Sequence, residues 1–230
     1  MAIWLAENVK AVLARLIETK MKQKSIKTTE TVRPKVVFDV DDVLWPLGET
    51  IAKHFGIDFE RYFYHFKITE NSRLTDAERE MIITAYADAT FFEKIEFFAG
   101  AKDILRPREL GAIVKIKSNS FSERIAELKI QQLLAAIPGL TEDDIQMNII
   151  DYDRTHGKTI DDDTTIFVDD SPFNVATSPA HINIMPDLGG WNRDTSAQEL
   201  LRERTVFYAK DLSEINQLVY AQVKEQLKLS

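Results

Sequence analysis

Four short stretches of the chain hold residues that could do chemistry. FDVDDVL carries Asp39, Asp41 and Asp42; IKSNS carries Ser118 and Asn119; DRTHGKT carries Lys158; and FVDDSPFN carries Asp169, Asp170, Ser171 and Asn174. Each alone has an ordinary explanation. Aspartate is common where strands end because its carboxylate caps backbone N–H groups, and a strand-end hydroxyl or a loop lysine needs no special role. Together they ask for more. Carboxylates gathered at one place repel each other and raise their own pKa values unless a cation compensates. A hard divalent cation held by carboxylate oxygens and water is the natural complement, and Mg²⁺ suits a phosphate partner. The hydroxyl and N–H groups of Ser118 and Asn119, with the charge of Lys158 eleven residues before Asp169, could hold phosphate oxygens.

The elements around these stretches predict how they meet. KVVFDV reads as a short buried strand, and AIVKIKSNS, IQMNIIDYD and TTIFVDDSP as three more, with HINIMPD and TVFYAKD as two shorter ones. Helices are expected at SERIAELKIQQLLAAI, stopped by Pro138-Gly139, and at DLSEINQLVYAQVKEQL, with Ile215, Leu218, Val219 and Val223 on one face. Strands alternating with helices predict an α/β fold, a Rossmann-like parallel sheet with helices on both faces. In such sheets the ligand crevice lies outside the carboxyl ends of the strands. Asp39, Asp41, Ser118, Asp169 and Asp170 all fall at such ends, and neighbouring strands about 4.8 Å apart would bring the carboxylates together. The helical stretch of residues 50–100 is too long for an ordinary crossover and reads as a helical cap inserted after the first strand. The expected organisation is an N-terminal helix and linker over 1–35, a core of 36–49 and 101–230, and the cap over 50–100.

Composition narrows the classes of function. With 230 residues and a hydrophobic fraction of 44%, the chain can build one sizeable core. The absence of cysteine excludes disulfides, thiolate nucleophiles and Cys-ligated zinc. No run of about 18 apolar residues is present, so no membrane span is expected, nor a signal peptide, and a cytoplasmic location follows as the expectation. Net charge is −8, while residues 1–35 carry eight Lys/Arg against three Asp/Glu. The acidic body argues against binding long nucleic acid but says little about a small phosphorylated substrate. The amphipathic arm, with Leu5, Val9, Val12, Leu13, Leu16 and Ile17 in a stripe, suits docking on the body or on a second copy. A membrane-surface helix is the alternative, disfavoured by Glu7 and Glu18 in its basic face.

On these four motifs, in this order, the chain resembles the haloacid dehalogenase superfamily of phosphohydrolases. The resemblance implies that Asp39 is a nucleophile forming an aspartyl-phosphate and that Asp41 is the acid and base for leaving group and water. Ser118, Asn119 and Lys158 would hold the phosphoryl oxygens. Asp39, the backbone carbonyl of Asp41, and Asp169 or Asp170 would bind Mg²⁺. Asp42, where such proteins often have glycine, reads as a turn or cap residue. Asp41 favours phosphate chemistry over dehalogenation, which needs no leaving-group acid there.

FFEKIEFFAGAKDI, the DRTHGKT spacing before Asp169-Asp170, and HINIMPDLGGWNR are further similar to 5′(3′)-deoxyribonucleotidases. That likeness implies a deoxynucleoside monophosphate substrate, with Phe91 and Phe92 either stacking on its base or packing as helix core. A sugar or other metabolite phosphate is the alternative. A phosphoacceptor module is a third reading, but receivers of that kind carry their acid pair on the first strand and their lysine last. Of the four histidines, His156 is the one near enough to Lys158 in sequence to reach a phosphate.

Overall fold

The computed structural model describes residues 33–65, 67–150, 158–193 and 195–229. Residues 1–32 of the N-terminal arm and His156 lie outside them. Arg33–Leu229 form one compact unit, built on six parallel strands: β1 (Lys35–Phe38), β2 (Ile113–Ser120), β3 (Ile145–Ile149), β4 (Ile166–Val168), β5 (Ile182–Pro186) and β6 (Val206–Ala209). Their spatial order is β3-β2-β1-β4-β5-β6. The chain therefore works outward from β1 to β3, then returns to place β4 on the other side of β1. That reversal makes the gap beyond β1 and β4 the switch point where open α/β sheets bind ligands. The expected fold class is observed, and each strand stretch read from sequence holds a strand.

β4 is wholly apolar and fully buried, and β1 is apolar and buried after its first residue, Lys35, as central strands covered on both faces must be. On one face Phe38, Ile116 and Ile166 pack with Ile125, Leu133, Ile215, Val219 and Val223 from α5 (Glu123–Ala136) and α8 (Leu212–Leu229). On the other face Val37, Phe167 and Met185 pack with Val175 and Leu201. Between β1 and β2 lie four helices, α1 (Leu47–Phe55), α2 (Phe59–Tyr62), α3 (Asp76–Ala87) and α4 (Ala89–Phe92), followed by a 3₁₀ helix at Ala101–Leu110. The two ends of this insertion are tied where the Phe98 N–H donates to the Leu44 carbonyl at 2.9 Å.

Local sequence explains the insertion's parts. Thr75 and Glu78 form a reciprocal capping box at the start of α3, which satisfies two otherwise orphaned N–H groups. Gly48 is demanded by packing, since a Cβ there would lie 2.4 Å from the Phe63 ring. The short helices α6 (Pro172–Thr177) and α7 (Thr195–Leu200) have too few turns to show a periodicity in sequence. No helix among the described residues is long and apolar enough to cross a membrane.

Candidate active site

Asp39 is the first residue after β1, and Asp169 the first after β4. Phe38 is paired with Val168 across the two strands, so the two aspartates emerge side by side. The Asp39 N–H donates to the Val168 carbonyl at 2.8 Å, continuing the ladder by one bond. Carboxylate oxygens of Asp39, Asp169 and Asp170 all lie within 4.8 Å of one another, and all three residues are buried. This spacing and all-oxygen donor set fit a hard divalent cation.

The three acids are not equivalent. Asp169 is fully buried and surrounded by donors: Lys158 Nζ at 2.8 Å, the Ser171 N–H at 2.9 Å, and Asn174 Nδ2 at 3.0 and 3.2 Å from its two oxygens. Asn174 also accepts from the Lys158 N–H at 3.0 Å, so it binds the lysine's backbone while orienting the aspartate. Asp170 faces the pocket, and no protein donor among the described residues reaches its carboxylate. Asp39 lies between these cases. Lys158 Nζ is 2.7 Å from its Oδ1, and no second donor among the described residues reaches that oxygen.

The electrostatics follow from this crowding. Burial pushes the Asp170 pKa well up, with the charges of Asp169, Asp42 and Asp39 adding to it. Burial likewise raises Asp169 to about 6; Lys158 opposes the rise and Asp39 reinforces it. Lys158, 3% exposed, is opposed by burial, yet Asp169 and Asp39 beside it carry its pKa above the ordinary lysine value. One ammonium faces three carboxylates, so the cluster has room for further positive charge.

Asp41 and Asp42 diverge at once. Asp42 takes a left-handed backbone, φ 56°, which explains why glycine would suit the position. Its Oδ1 accepts from the Gly48 N–H in the first turn of α1 at 2.8 Å. It is thus the turn and capping residue its sequence suggested. Burial nonetheless raises its pKa to about 7. Asp41 instead points its carboxylate at Lys129 and Trp45 and keeps 27% of its side chain exposed.

Above these residues opens a pocket of about 300 Å³, at the small end of ligand-site volumes. Asp39, Asp41, Asp42, Asn119, Asp170 and Asn174 line one side. The insertion contributes Lys67, Thr69, Glu70 and Tyr86, and Phe121 adds a second aromatic ring 5.4 Å from Tyr86. Ser118, next to Asn119 in the chain, is fully buried and does not itself line the pocket; among the described residues its hydroxyl has no hydrogen-bond partner.

Phe91 and Phe92 stand elsewhere. They pack against His54 and Trp45 in the interior, and the pocket's aromatic surface comes from Tyr86 and Phe121. In the WNR stretch, Asn192 donates to the Pro186 carbonyl at 2.7 Å and Arg193 pairs with Asp187 at 2.6 Å, so both secure a loop. Lys129 and Trp45 went unnoticed in the sequence as site neighbours. The signal was there: Lys129 stands between Ile125 and Leu133 at four-residue intervals on the apolar stripe of α5.

No protein-family model and no curated protein matches the sequence. Solved structures do. A candidate beta-phosphoglucomutase from Bacteroides vulgatus is 17% identical, covering 95% of this chain and 99% of its own, with a TM-score of 0.50. A haloacid dehalogenase-like hydrolase from Streptococcus pneumoniae is 14% identical over 84% of this chain and 100% of its own, with a TM-score of 0.49. A phosphonoacetaldehyde hydrolase-like protein from Oleispira antarctica is 12% identical over 85% and 94%, also at 0.49. What the first of these shows, at such identity, is the fold. The α/β fold with its parallel sheet is shared.

Proposed function

We propose that the protein is a Mg²⁺-dependent phosphomonoester hydrolase acting through an aspartyl-phosphate on Asp39. The observation that carries this reading is the buried trio of Asp39, Asp169 and Asp170 at the strand ends, with Lys158 2.7 Å from Asp39. A carboxylate cannot approach a phosphate dianion until positive charge screens the repulsion. Lys158 supplies part of that charge, and a Mg²⁺ held by Asp39, Asp170 and the Asp41 backbone carbonyl would supply the rest. Asp170 is the better choice for the second carboxylate, because Asp169 already spends its oxygens on Lys158, Ser171 and Asn174.

In the first step an Asp39 oxygen attacks phosphorus, the bond from phosphorus to the ester oxygen breaks, and Asp41 protonates that leaving oxygen. In the second, Asp41 takes a proton from water, whose oxygen attacks the same phosphorus. The bond to Asp39 breaks and inorganic phosphate leaves. Covalent capture divides one difficult displacement into two easier ones. The orphaned Ser118 hydroxyl and Asn119 are suited to the phosphoryl oxygens.

For the substrate, we propose a small phosphate monoester with a deoxynucleoside monophosphate as leading candidate, its base against Tyr86 and Phe121 rather than the buried Phe91 and Phe92. A sugar phosphate is the second reading, favoured by the small pocket and by the name of the Bacteroides protein. Purified protein should hydrolyse p-nitrophenyl phosphate with Mg²⁺ and lose that activity in EDTA. Asp39→Asn should lower the rate by at least about 10⁴-fold with the fold intact. An Asp39→Asn variant that kept its activity would remove Asp39 as nucleophile. A screen of nucleotides against sugar phosphates decides between the two substrates.

A further inference from the structure

Lys129 is a charged residue at a core position. On the inward face of α5 it lies between Ile125 and Leu133 and is 1% exposed. Burial of an ammonium is strongly unfavourable unless every proton finds an acceptor. Here the three protons meet three: Asp41 Oδ1 at 2.8 Å, Asp41 Oδ2 at 2.7 Å and the Asn119 carbonyl at 3.0 Å. The rings of Trp45 and Phe92 stand 5.6 and 5.3 Å from Nζ, within cation–π range. Trp45 Nε1 donates to the same Asp41 Oδ1 at 2.8 Å. Asp41 is therefore held through both oxygens, from two directions, by groups that do not line the pocket.

Filling space does not require this lysine. Methionine has similar length and would occupy the same space, although removing one partner of a buried ion pair is itself destabilising. What only the ammonium provides is a fixed orientation for the carboxylate of a residue on an irregular turn. We propose that Lys129, assisted by Trp45, is a positioning residue for Asp41. It holds Asp41 for the proton transfer from water in the second step, where the carboxylate form is the one required, and contributes nothing to substrate binding. The inference rests on the phosphatase reading of the site. It also accounts for Phe92, which completes the cage around the ammonium rather than meeting substrate.

The test compares kcat with KM on p-nitrophenyl phosphate and Mg²⁺. Lys129→Met should lower kcat by about 10²-fold, the scale of one misplaced acid–base group, with KM within about threefold. Its crystal structure should show the Asp41 carboxylate in a new rotamer. Because the chain has no cysteine, Lys129→Cys carries a single thiol. Alkylated with 2-bromoethylamine in denaturant and refolded, it regains an ammonium at nearly the same reach and should recover most of the rate, whereas alkylation with iodoacetamide should not. This pair decides the matter if Lys129→Met does not fold. An active wild type beside an equally active Lys129→Met overturns the positioning role alone, as does an unmoved Asp41 or equal recovery with both reagents. A KM that rises as much as kcat falls would make Lys129 a binding group and also overturn it. A wild type that hydrolyses no phosphate ester overturns the reading of the whole site, and this role with it.

Discussion

The same sheet carries acidic clusters at both ends, and they behave in opposite ways. At the carboxyl end Asp39, Asp42, Asp169 and Asp170 are buried, and the shifts resolved for Asp42, Asp169 and Asp170 are all upward. At the amino end the exposed Asp161 and Asp163 and the half-buried Asp144 lie beside Lys35, Lys115 and Arg108, at 2.6 to 3.3 Å. There Lys35 lowers the Asp161 pKa. Burial alone would raise Asp144, but hydrogen bonds from Arg108, Thr141 and Lys115 hold it at about 2. Residue type is identical; the supply of cations differs. At the amino end the protein brings its own positive charge and gains stability. At the carboxyl end it supplies one lysine to Asp39 and Asp169 and leaves Asp170 open, at a cost in stability that a cation or substrate can relieve.

The contrast breaks most completely if Lys158 is removed. Lys158→Met leaves Asp39 and Asp169 facing each other with no counter-charge. We expect a loss of about 3–5 kcal/mol in stability, the scale for breaking a buried pair from one side, along with loss of phosphatase activity. Urea unfolding with EDTA and with Mg²⁺ measures both parts. If a carboxyl-end cation is used, Mg²⁺ should restore part of the lost stability but not the activity. A variant as stable as wild type would mean that the acids there do not depend on that lysine.

Asp170→Asn tests the opposite direction. It removes a buried like charge that no protein donor satisfies, so without metal it should stabilise the fold by about 1–2 kcal/mol while abolishing the rise in Tm that Mg²⁺ gives wild type. Dependence on pH sharpens the point. Folded pKa values of about 6 for Asp169 and about 7 for Asp42 lie above the usual value for an unfolded aspartate, near 4. Between those limits the folded state binds more protons, so stability is greatest below about pH 4 and falls as pH rises to about 7. In EDTA, Tm should therefore increase from pH 7.5 to pH 5, by roughly 3–10 °C if the term is about 1–3 kcal/mol. Saturating Mg²⁺ should flatten the slope. An EDTA profile with the reverse slope would contradict the account of the carboxyl-end acids.

The fold and the acid cluster were legible in sequence for the same reason. A short apolar strand ending in aspartate is a local pattern, and two such strands can be matched without knowing their spatial order. Register then did the rest, since pairing Phe38 with Val168 puts the following aspartates together. The division of labour between Asp169 and Asp170 was not legible, because it depends on Asn174 and Lys158 converging from a helix and a loop. The aromatic lining was obscured similarly: Phe91-Phe92 reads in sequence either as a base-stacking pair or as helix core, and the structure turns both inward while Tyr86 lines the pocket. Lys129 was readable as a lysine in an apolar stripe, but its partner lies 88 residues away and no spacing rule reaches that far.

The smallest expected effect lies at the amino end and works with the opposite sign. Asp144 has a folded pKa of about 2, below its unfolded value near 4. Its pairs with Arg108 and Lys115 therefore stabilise the fold above about pH 4, and that contribution disappears as pH falls through about 2. The shift corresponds to at most about 2–3 kcal/mol, and solvent screening at the sheet edge should leave nearer 1. Asp144→Asn should accordingly cost about 1 kcal/mol at pH 7 and nothing near pH 2, be reduced by high salt, and leave phosphatase activity unchanged. Denaturant titrations at the two pH values, each with and without 1 M NaCl, check it. A change in activity, or a stability loss that persists at pH 2, would mean that the two ends of the sheet are coupled. The opposing shifts could then no longer be treated as independent responses to local cation supply.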